Sequence, residues 1–364
     1  MSLRGKATLI AVGDICLGDH PVVVGWGVRS LAETRGFDFL FDGVRNILKE
    51  GDITFGNLEC VLSDKGLREG YLPSIEMRGS PQAVKALVKA GFNALNVANN
   101  HIMQHGEKAF WETVKVLNEN NIKVIGLSRK DCSCSLQIFQ FNGLKIAFLG
   151  YAFESDRYYK NHLPYCSALE ADICLDVKKA REKADIVICS FHWGCEFVDQ
   201  PSPKEIDIAH KVIDSGANVI LGHHPHVLRD IQIYNDGVIA YSLGNFVSDM
   251  IWDEQLRHSI ILKLKLTSSC IYDIKLIPVF IDRYYRPIIV DHAENKIYLR
   301  NSMDSLPERE YAISYKRLRR KYSLKSYKYL LINFGRYSLI ILLQILLRAV
   351  IRKILEFLKV GLAI

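Results

Sequence analysis

Three histidines occur within four positions, at His223, His224 and His226, directly behind an apolar run that ends at Leu221. Imidazole nitrogens are common ligands of transition metals in proteins. If the run is a buried strand, its carboxyl end delivers the three imidazoles into the cleft that borders it, where the sites of α/β folds usually lie. The sequence therefore predicts a metal site beside this loop.

Other polar side chains follow further predicted strands at the point where each strand ends. They are Asp14, Asn57, Glu59, Asn100, His101 and His192. Core residues would fall at random phases within strands, so this regular placement favours one shared site. Two carboxylates, an amide oxygen and several imidazoles form a ligand set that suits Mn, Fe or Zn, as one divalent ion or a pair. A carboxylate between two cations would hold both against a phosphoryl oxygen, which predicts hydrolysis of a phosphate ester.

Short apolar strands alternate with amphipathic helices as far as about residue 245. The predicted strands are 7–12, 53–58, 94–98, 123–126, 137–141, 145–151, 186–191, 217–221, 238–242, 259–266 and 271–280, and the predicted helices are 81–90, 107–120, 168–184 and 203–215. Asn142-Gly143 predicts a tight hairpin between two of the strands. The alternation indicates an α/β fold with mixed pairing, and so many strands require two sheets.

The composition is that of a globular protein, with 49% apolar residues in 364. Nine cysteines are scattered without the spacing of a disulfide framework or a zinc motif, which is typical of a reducing compartment. The first apolar run, 7–12, is too short for a signal peptide or a spanning helix. We therefore expect a cytoplasmic protein, or one that lies peripherally on the inner face of the membrane.

The net charge of +7 is concentrated in a C-terminal tail. From Ser314 onward there are 12 of the 47 Lys/Arg residues and one of the 40 acidic residues, so the tail carries +11 and the rest −4. An acidic body argues against nucleic acid as a partner. We expect one domain over residues 1–300 and a basic amphipathic helical tail over 301–364.

Apolar residues recur at helical spacing between Leu342 and Leu358, with Arg and Lys largely on the other face. This pattern is typical of a helix that lies on an anionic membrane surface. A helix that packs on the body or on a partner protein, such as a membrane synthase, would show the same pattern. The apolar stretch 339–347 is well below the roughly 20 residues that a spanning helix needs.

Six motifs carry a resemblance to a known family. They are Val-Gly-Asp-Ile-Cys-Leu-Gly (12–18), Gly-Asn-Leu-Glu (56–59), Val-Ala-Asn-Asn-His (97–101), His-Trp-Gly-Cys-Glu (192–196), Gly-His-His-Pro-His-Val (222–227) and Tyr-Ser-Leu-Gly-Asn-Phe (241–246). In order and spacing they resemble the CapA-like capsule and poly-γ-glutamate biosynthesis family of the metallophosphoesterase superfamily. The resemblance implies a four-layer α/β/β/α metallophosphoesterase-like sandwich with a C-terminal helical appendage.

The same resemblance implies roles for the strand-end residues. Asp14 matches a ligand of one metal, and Glu59 lies where a bridging carboxylate is expected. Asn100 matches the amide ligand of the second metal, and His192 matches the isolated histidine ligand. His101 matches the histidine that gives a proton to the leaving oxygen or stabilises the transition state.

In the histidine loop, His224 and His226 match the His-x-His ligand pair. Alternate side chains of an extended segment face the same side, which would bring both to the metals. His223 is then expected to contact a ligand or the substrate, unless the register is shifted by one residue.

The sequence departs from the superfamily pattern at two positions. Cys16 stands where another histidine ligand is usual, and its thiolate would substitute unless Cys16 is simply a small buried residue, which is the interpretation we favour. Gln104 stands where an Asp usually follows the catalytic-type histidine. Both departures bear on whether two metals and catalysis are retained.

Five further residues are predicted to surround the site. Asn57 is expected to support a ligand, Trp193 to form a pocket wall and Glu196 to accept a hydrogen bond. Asn245 is expected to shape a turn or support a ligand. Arg78 is interpreted either as a cation for an anionic substrate or as a solvated loop residue.

Two functions remain open from the sequence. The first is a metal-dependent phosphoesterase that acts on a phosphorylated or anionic polymer-related substrate in the biosynthesis or export of a cell-surface polymer. The second is a non-catalytic accessory subunit that keeps the fold and binds a membrane polymer synthase or the nascent polymer.

Overall fold

The structure is a computed structural model that describes residues 5–129, 134–153, 158, 163–167, 169–291, 298–348 and 351. In chain order the strands are β1 Lys6–Ile15, β2 Ile53–Leu58, β3 Val61–Leu62, β4 Arg78–Gly79, β5 Ala94–Asn96, β6 Lys123–Ile125, β7 Gln137–Phe141, β8 Leu144–Ala152, β9 Ile186–His192, β10 Val219–His223, β11 Ile231–Tyr234, β12 Gly237–Ala240, β13 Asn245–Val247, β14 His258–Thr267, β15 Ile271–Ile281, β16 Pro287–Ile289 and β17 Leu299–Arg300.

The helices are α1 Val28–Arg35, α2 Arg45–Leu48, α3 Leu72–Ile75, α4 Val84–Ala90, α5 Gly106–Glu119, α6 Glu170–Arg181, α7 Pro203–Asp214 and α8 Glu308–Ile332. Single 3₁₀ turns cover Phe37–Phe41, Pro81–Ala83, Glu254–Leu256 and Phe334–Arg336. Residues 339–348 are also helical.

Two mixed sheets form the centre of the molecule. The first has the strand order β16-β15-β14-β1-β2-β5-β6, with β13 paired to the end of β1. The second has the order β17-β11-β12-β10-β9-β8-β7. Strands β1, β2, β5 and β6 are parallel, as are β8, β9, β10 and β12, while the outer strands include antiparallel pairs.

The two sheets pack face to face, and helices cover both outer faces. Leu9 and Ala11 of β1 belong to the core between the sheets, whereas Ile10 and Val12 face the helix-covered core on the other side. The second sheet divides its side chains in the same way against α6 and α7. The predicted four-layer α/β/β/α sandwich is confirmed.

Local signals account for most of the element boundaries. Asn142 and Gly143 both have positive φ, at 49° and 86°, as a type I′ turn between β7 and β8 requires. Helix α7 begins with a capping box in which Ser202 and Glu205 satisfy each other's backbone N–H groups. The predicted helix 81–90 is divided, because its first turn is 3₁₀ and the α-helix begins only at Val84.

The structure contains short elements that the sequence did not predict. Strand β11 forms a hairpin with β12 through Asn235 and Asp236, both at positive φ. Helix α1 and strands β13, β16 and β17 were also not predicted, because they are too short for hydrophobic periodicity to reveal.

The C-terminal helix α8 packs against the body of the protein. Tyr311, Tyr322 and Leu330 are buried on its inner face. In the segment 339–348, Ile341 and Leu342 are buried while their neighbours are exposed. The part of the predicted amphipathic helix that lies at 349–350 and 352–364 is outside the described residues.

No helix in the described part of the chain has both the length and the apolar character that crossing a membrane requires. The proposed division at residue 300 stays a prediction.

Candidate metal centre

The carboxyl ends of the central parallel strands of both sheets meet at one edge. Pairing of β1 with its neighbours sets Asp14 opposite Asn57 and opposite Asn245. Pairing of β9 with β10 sets His192 opposite His223. Because each strand ends at this edge, the polar side chains that follow it point into the same space.

The potential ligands form two groups that share Glu59. One group consists of Asp14, Glu59 and His226, and the other of Glu59, His192 and His224. Within each group the nitrogen and oxygen atoms lie within 4.8 Å of one another, and all five residues are buried. A carboxylate that belongs to both groups could bridge two cations.

Asp14 is surrounded by hydrogen-bond donors. Asn57 Nδ2 donates to its Oδ1 over 2.8 Å, and the backbone N–H of His224 donates to Oδ2 over 3.2 Å. The Nδ1 atoms of His223 and His226 lie 3.2 and 3.5 Å from its oxygens. Burial by itself would raise the pKa of Asp14, but the contacts with these two histidines hold it well below its usual range, so the carboxylate is ionised.

Asn57 is oriented by an amide network beneath the site. Its Oδ1 accepts hydrogen bonds from Asn96 Nδ2 at 2.9 Å and from Asn99 Nδ2 at 3.2 Å. These two donors fix which end of the Asn57 amide faces Asp14. The expectation that Asn57 supports a ligand agrees with this geometry.

The second group combines the Glu59 carboxylate with two imidazoles, and the Asn100 amide lies beside it. His192 Nε2 lies 3.0 Å from Asn100 Oδ1 and 3.8 Å from Glu59 Oε1. The rings of His192 and His224 are 4.6 Å apart between centroids. Burial, together with the neighbouring His224, lowers the pKa of His192 well below its usual value, which favours the neutral imidazole, the form that can bind a metal.

The histidine loop is not extended, contrary to the expectation. His224 has φ 95° and His226 has φ 59°, a region that non-glycine residues seldom adopt. Both side chains reach the site because the backbone turns at each of them, and such strain costs on the order of 1–3 kcal/mol per residue. His223 ends β10, is fully buried and faces Asp14, so it contacts a potential ligand and is not in the pocket lining.

His226 lies between the two carboxylates. Burial lowers the pKa of His226, but Glu59 and Asp14 outweigh this effect and raise it to about 10. Asn245 fixes the ring, because its Oδ1 lies 3.0 Å from His226 Nδ1 while its Nδ2 donates to the carbonyls of His226 and Leu256. With Nδ1 engaged, Nε2 faces Glu59 at 3.9 Å.

The surroundings of Glu59 show whether a cation would fit between the two groups. Its Oε1 is buried and receives no hydrogen bond from any residue that the structure describes. Burial, and next the charge of Asp14, raises the pKa of Glu59 well above its usual value. A cation beside this oxygen would supply the missing partner, and the donor set of carboxylates, imidazoles and an amide fits a divalent transition metal.

His101 is held by the residue that departs from the superfamily pattern. His101 Nδ1 lies 2.9 Å from Gln104 Oε1, and Gln104 Nε2 donates to Glu76 Oε1 over 3.4 Å. The second contact orients the Gln104 amide so that its oxygen accepts from the imidazole. Gln104 therefore takes the orienting position, although without a charge. Burial lowers the pKa of His101.

Cys16 lies at the edge of the site without joining either group of ligating atoms in the described chain. Its Sγ is 3.6 Å from the Gly18 carbonyl oxygen and 3.8 Å from Met77 Sδ. The neighbouring Cys60 and burial raise the pKa of Cys16 well above its usual value, which favours the thiol. The geometry agrees with a buried thiol.

Two of the surrounding residues differ from expectation. Trp193 packs in the core between the second sheet and its helices, stacked on Tyr241, because its side chain points away from the site. Arg78 is buried and donates to the backbone carbonyls of Ser74, Ser63 and Lys65. It organises a loop and is not solvated. Glu196 lines the pocket, as a site residue should.

A cavity of about 350 Å³ opens in front of the two groups. Glu59, His101 and His226 form part of its lining. The lining also contains residues that the sequence did not single out, namely His20, Glu76, Asp249, Trp252, Arg319, Tyr322, Ser323, Ser326 and Arg348. No sequence signal marks them, because tertiary packing alone brings them to the cavity.

The sequence model described as "Bacterial capsule synthesis protein PGA_cap" matches residues 8–250. The chain is 31% identical to the capsule biosynthesis protein CapA of Bacillus anthracis over 82% of its own length and 74% of that protein. It is 30% identical to the PGA biosynthesis protein CapA of Bacillus subtilis (strain 168), over 79% and 76% of the two chains.

A probable polyglutamine synthesis accessory protein of Mycobacterium tuberculosis is 25% identical over 54% of this chain and 56% of its own. Among solved structures, a putative 5'-nucleotidase from Staphylococcus aureus superposes with a TM-score of 0.47 at 10% identity, covering 87% of this chain and 58% of that one.

Proposed function

The chain belongs to the bacterial capsule synthesis protein family, and on that premise we propose that it is a metal-dependent phosphoester hydrolase acting in the biosynthesis or export of a cell-surface polymer. The observation that carries this proposal is the sharing of Glu59 between two groups of buried ligands. Its relatives are named for capsule and PGA biosynthesis, which supports a polymer-related substrate.

The residues that would hold the metals are assigned from the two groups. Asp14, Glu59 and His226 would bind one divalent cation, and Glu59, Asn100, His192 and His224 the other. Bound there, divalent cations would polarise a phosphoryl oxygen and lower the pKa of a water molecule. The metal would be Mn, Fe or Zn, because the donors combine oxygen with imidazole nitrogen.

The remaining residues act on the substrate or on the ligands. His101 would give a proton to the leaving oxygen, and burial makes its protonated form a stronger acid by lowering its pKa. Gln104 keeps the ring in place through Nδ1. Asn57 and Asn245 hold Asp14 and His226, as partners behind the ligands do in metal sites.

The test combines elemental analysis with hydrolysis of p-nitrophenyl phosphate after expression with Mn²⁺. We expect about two transition-metal ions per chain in the wild type. Glu59→Gln should lose both ions, since both groups need this residue, and His224→Ala or His226→Ala should reduce activity at least about 100-fold. His258→Ala is the matched control, since His258 begins β14 outside the site and should change neither quantity.

Two results would contradict the proposal. Full activity in both histidine variants would exclude the assigned ligands. A chain that carries no metal after metal-supplemented expression would instead support the accessory subunit, which binds a synthase or polymer without hydrolysis.

We also propose that the C-terminal tail contacts an anionic membrane surface. Leu339, Ile340, Leu343 and Leu347 are each at least 57% exposed, and the tail is the basic part of the chain. An exposed apolar face flanked by Lys and Arg is typical of helices that lie in the lipid interface.

Point variants test this contact better than deletion of residues 314–364, because deletion would also remove the buried Tyr322. We expect the wild type to float with anionic vesicles and Leu339→Ser/Leu343→Ser to lose this binding. Leu175→Ser, at an exposed leucine of α6, should retain it. Equal flotation of all three proteins would remove the membrane proposal, and binding to native membranes alone would indicate a protein partner.

A further inference from the structure

The C-terminal segment forms one side of the cavity in front of the two groups of potential metal ligands. Arg319, Tyr322, Ser323 and Ser326 of α8 line this side, and Arg348 of the helical segment 339–348 lies at its edge. Positions 319, 323 and 326 follow the i, i+4, i+7 spacing of a single helix face. One face of α8 is therefore turned toward the cavity along two helical turns.

Buried contacts fix α8 in this position. Tyr322 donates its hydroxyl hydrogen bond to Gln255 Oε1 over 2.6 Å and stacks on Phe197, whose ring neighbours His226. Lys325 forms an ion pair with the buried Asp253. The helix is thus attached to the loops that carry the site, and its cavity face has a defined place.

The segment 339–348 is attached to the stretch 70–76 of the body. Gln344 accepts a hydrogen bond from the Leu72 backbone N–H at 2.9 Å and donates to the Gly70 carbonyl at 2.6 Å. Arg348 pairs with Glu76 through both terminal nitrogens, at 2.7 and 3.3 Å. Glu76 in turn accepts from Gln104, the residue that orients His101.

Arg319 and Arg348 differ in whether a carboxylate of the protein already pairs with their charge. Both terminal nitrogens of Arg348 are directed at Glu76, so its charge is neutralised within the wall. Among the described residues Arg319 contacts the Tyr315 hydroxyl at 3.3 Å and forms no ion pair with a carboxylate. Arg319 therefore brings to the cavity a positive charge that no carboxylate of the described residues neutralises, and Glu59 of the ligand groups lines the same cavity.

We propose that Arg319, supported by the Ser323 hydroxyl, binds a second oxyanion of the substrate, a carboxylate or a phosphate. A guanidinium is suited to either group because its donors match two oxygens at once. The inference rests on the proposed function, in which the metal centre takes the phosphoryl group. The substrate class is then a phosphoester that carries another negative group at the far end.

Three non-hydrolysable probes test this subsite on the full chain by titration calorimetry, with and without Mn²⁺. They are phenylphosphonate, 4-phosphonobenzoate and benzene-1,4-bisphosphonate, which differ only in the second group. We expect the two probes that carry a second anionic group to bind about tenfold tighter than phenylphosphonate. Arg319→Gln should abolish this advantage without changing Tm.

Arg320→Gln is the matched control, since Arg320 is an exposed neighbour on α8 that does not line the cavity, and it should keep the advantage. Comparing the two probes that carry a second anionic group distinguishes a carboxylate subsite from a phosphate subsite. Equal binding of all three probes, an advantage that persists in Arg319→Gln, or no measurable binding of either probe with a second anionic group would overturn the proposal. If the wild type did not hydrolyse phosphoesters but still bound the probes with a second anionic group more tightly, the result would count against the phosphoesterase function alone.

Discussion

His226 connects the protonation state of the site with metal binding. In the metal-free protein Glu59 and Asp14, acting against burial, raise its pKa to about 10, so the imidazolium provides the positive charge between two carboxylates. A metal bound through His226, as proposed, would have to displace this proton. We predict that Mn²⁺ affinity rises about tenfold per pH unit and continues to rise between pH 7.5 and 9, measured by competition with a fluorescent chelator.

The contrary outcome for His226 is equally specific. A histidine with the ordinary pKa near 6.5 would be fully deprotonated above about pH 7.5. Affinity that is constant above this pH would show that the carboxylates do not hold His226 protonated.

Asp249 is a buried carboxylate whose protonation should affect stability. Its Oδ2 accepts from the backbone N–H groups of His20 and Val28, while Oδ1 has no hydrogen-bond partner among the described residues. Burial, and then the neighbouring Asp19, raises the pKa of Asp249 from 3.8 to about 8. The folded state therefore binds a proton that the unfolded state releases near pH 4.

The stabilisation of the folded state by the proton on Asp249 is fully present below the pKa that Asp249 has in the unfolded state. It is lost as the pH rises through about 8. We predict that the unfolding free energy of the wild type, relative to Asp249→Asn, falls between pH 4 and 8 by up to about 1.4 kcal/mol per pH unit. Urea unfolding with a chelator present measures it. Asp273→Asn on the surface is the control, and a parallel pH profile for wild type and Asp249→Asn would refute the assignment.

At the residue scale, sequence patterns identified the side chains of the site more successfully than they predicted the geometry of those side chains. Asp14, Glu59, Asn100 and His192 could be named because each follows a strand, and the structure brings them together; their roles as ligands stay a prediction. The positive φ angles of His224 and His226 could not be predicted, since they depend on the surrounding loops. The burial of Arg78 has the same origin, because it depends on how the preceding loop folds back to place the Ser63 and Lys65 carbonyls beside the guanidinium.

Among the elements, β1 depends on a close approach to the turn that precedes β13. A Cβ atom on Gly13 would lie 1.9 Å from the Gly244 carbonyl oxygen, which is also the acceptor for Asp14 N–H. We predict that Gly13→Ala destabilises the protein by about 3 kcal/mol, because either β1 or the turn must move. The displacement should also lower metal content, as it shifts both Asp14 and Asn245.

Gly335→Ala is the matched control for this substitution, because its added methyl group would meet open space. Its effect on urea unfolding should stay within about 0.5 kcal/mol. If Gly13→Ala were equally mild, the contact between β1 and the turn would not be as tight as the structure has it.

Elements with strong periodicity or a turn signal were predictable, and short ones were not. The predicted strand 53–58 coincides with β2, and Asn142-Gly143 located the hairpin of β7 and β8. Strand β13 has three residues and exists because β1 offers it an edge. An element of that length is specified by its partner more than by its own sequence.

At the scale of the whole molecule, a buried polar cluster joins the tail to the body. Tyr311 of α8 donates to Glu205 Oε2 over 3.0 Å and accepts from Arg229 Nη2 over 3.2 Å, while Arg229 Nη1 pairs with Glu205 Oε1 at 2.5 Å. We predict that Tyr311→Phe lowers the unfolding free energy by about 1–2 kcal/mol and speeds tryptic cleavage of the tail, because a buried ion pair loses its shared partner.

Tyr327→Phe removes a hydroxyl from an exposed position of the same helix and should leave both quantities unchanged. Unaltered cleavage of Tyr311→Phe would show that the tail is held by its apolar contacts instead. The layered body could be expected from alternating strands and helices. The place of the tail could not, because its two helical segments are fixed by polar contacts and buried side chains that meet loops far away in sequence.

The central place of β1 has a consequence for synthesis on the ribosome. This strand is made before the other strands that the structure describes, yet the strand that pairs with Lys6 to Ala11 lies at residues 258–267 and the helix beside the cavity follows after 308. One edge of β1 must wait until the chain has been made as far as β14. A ribosome that stops early therefore releases a product with an open strand edge, which is prone to aggregation and proteolysis and lacks a finished cavity.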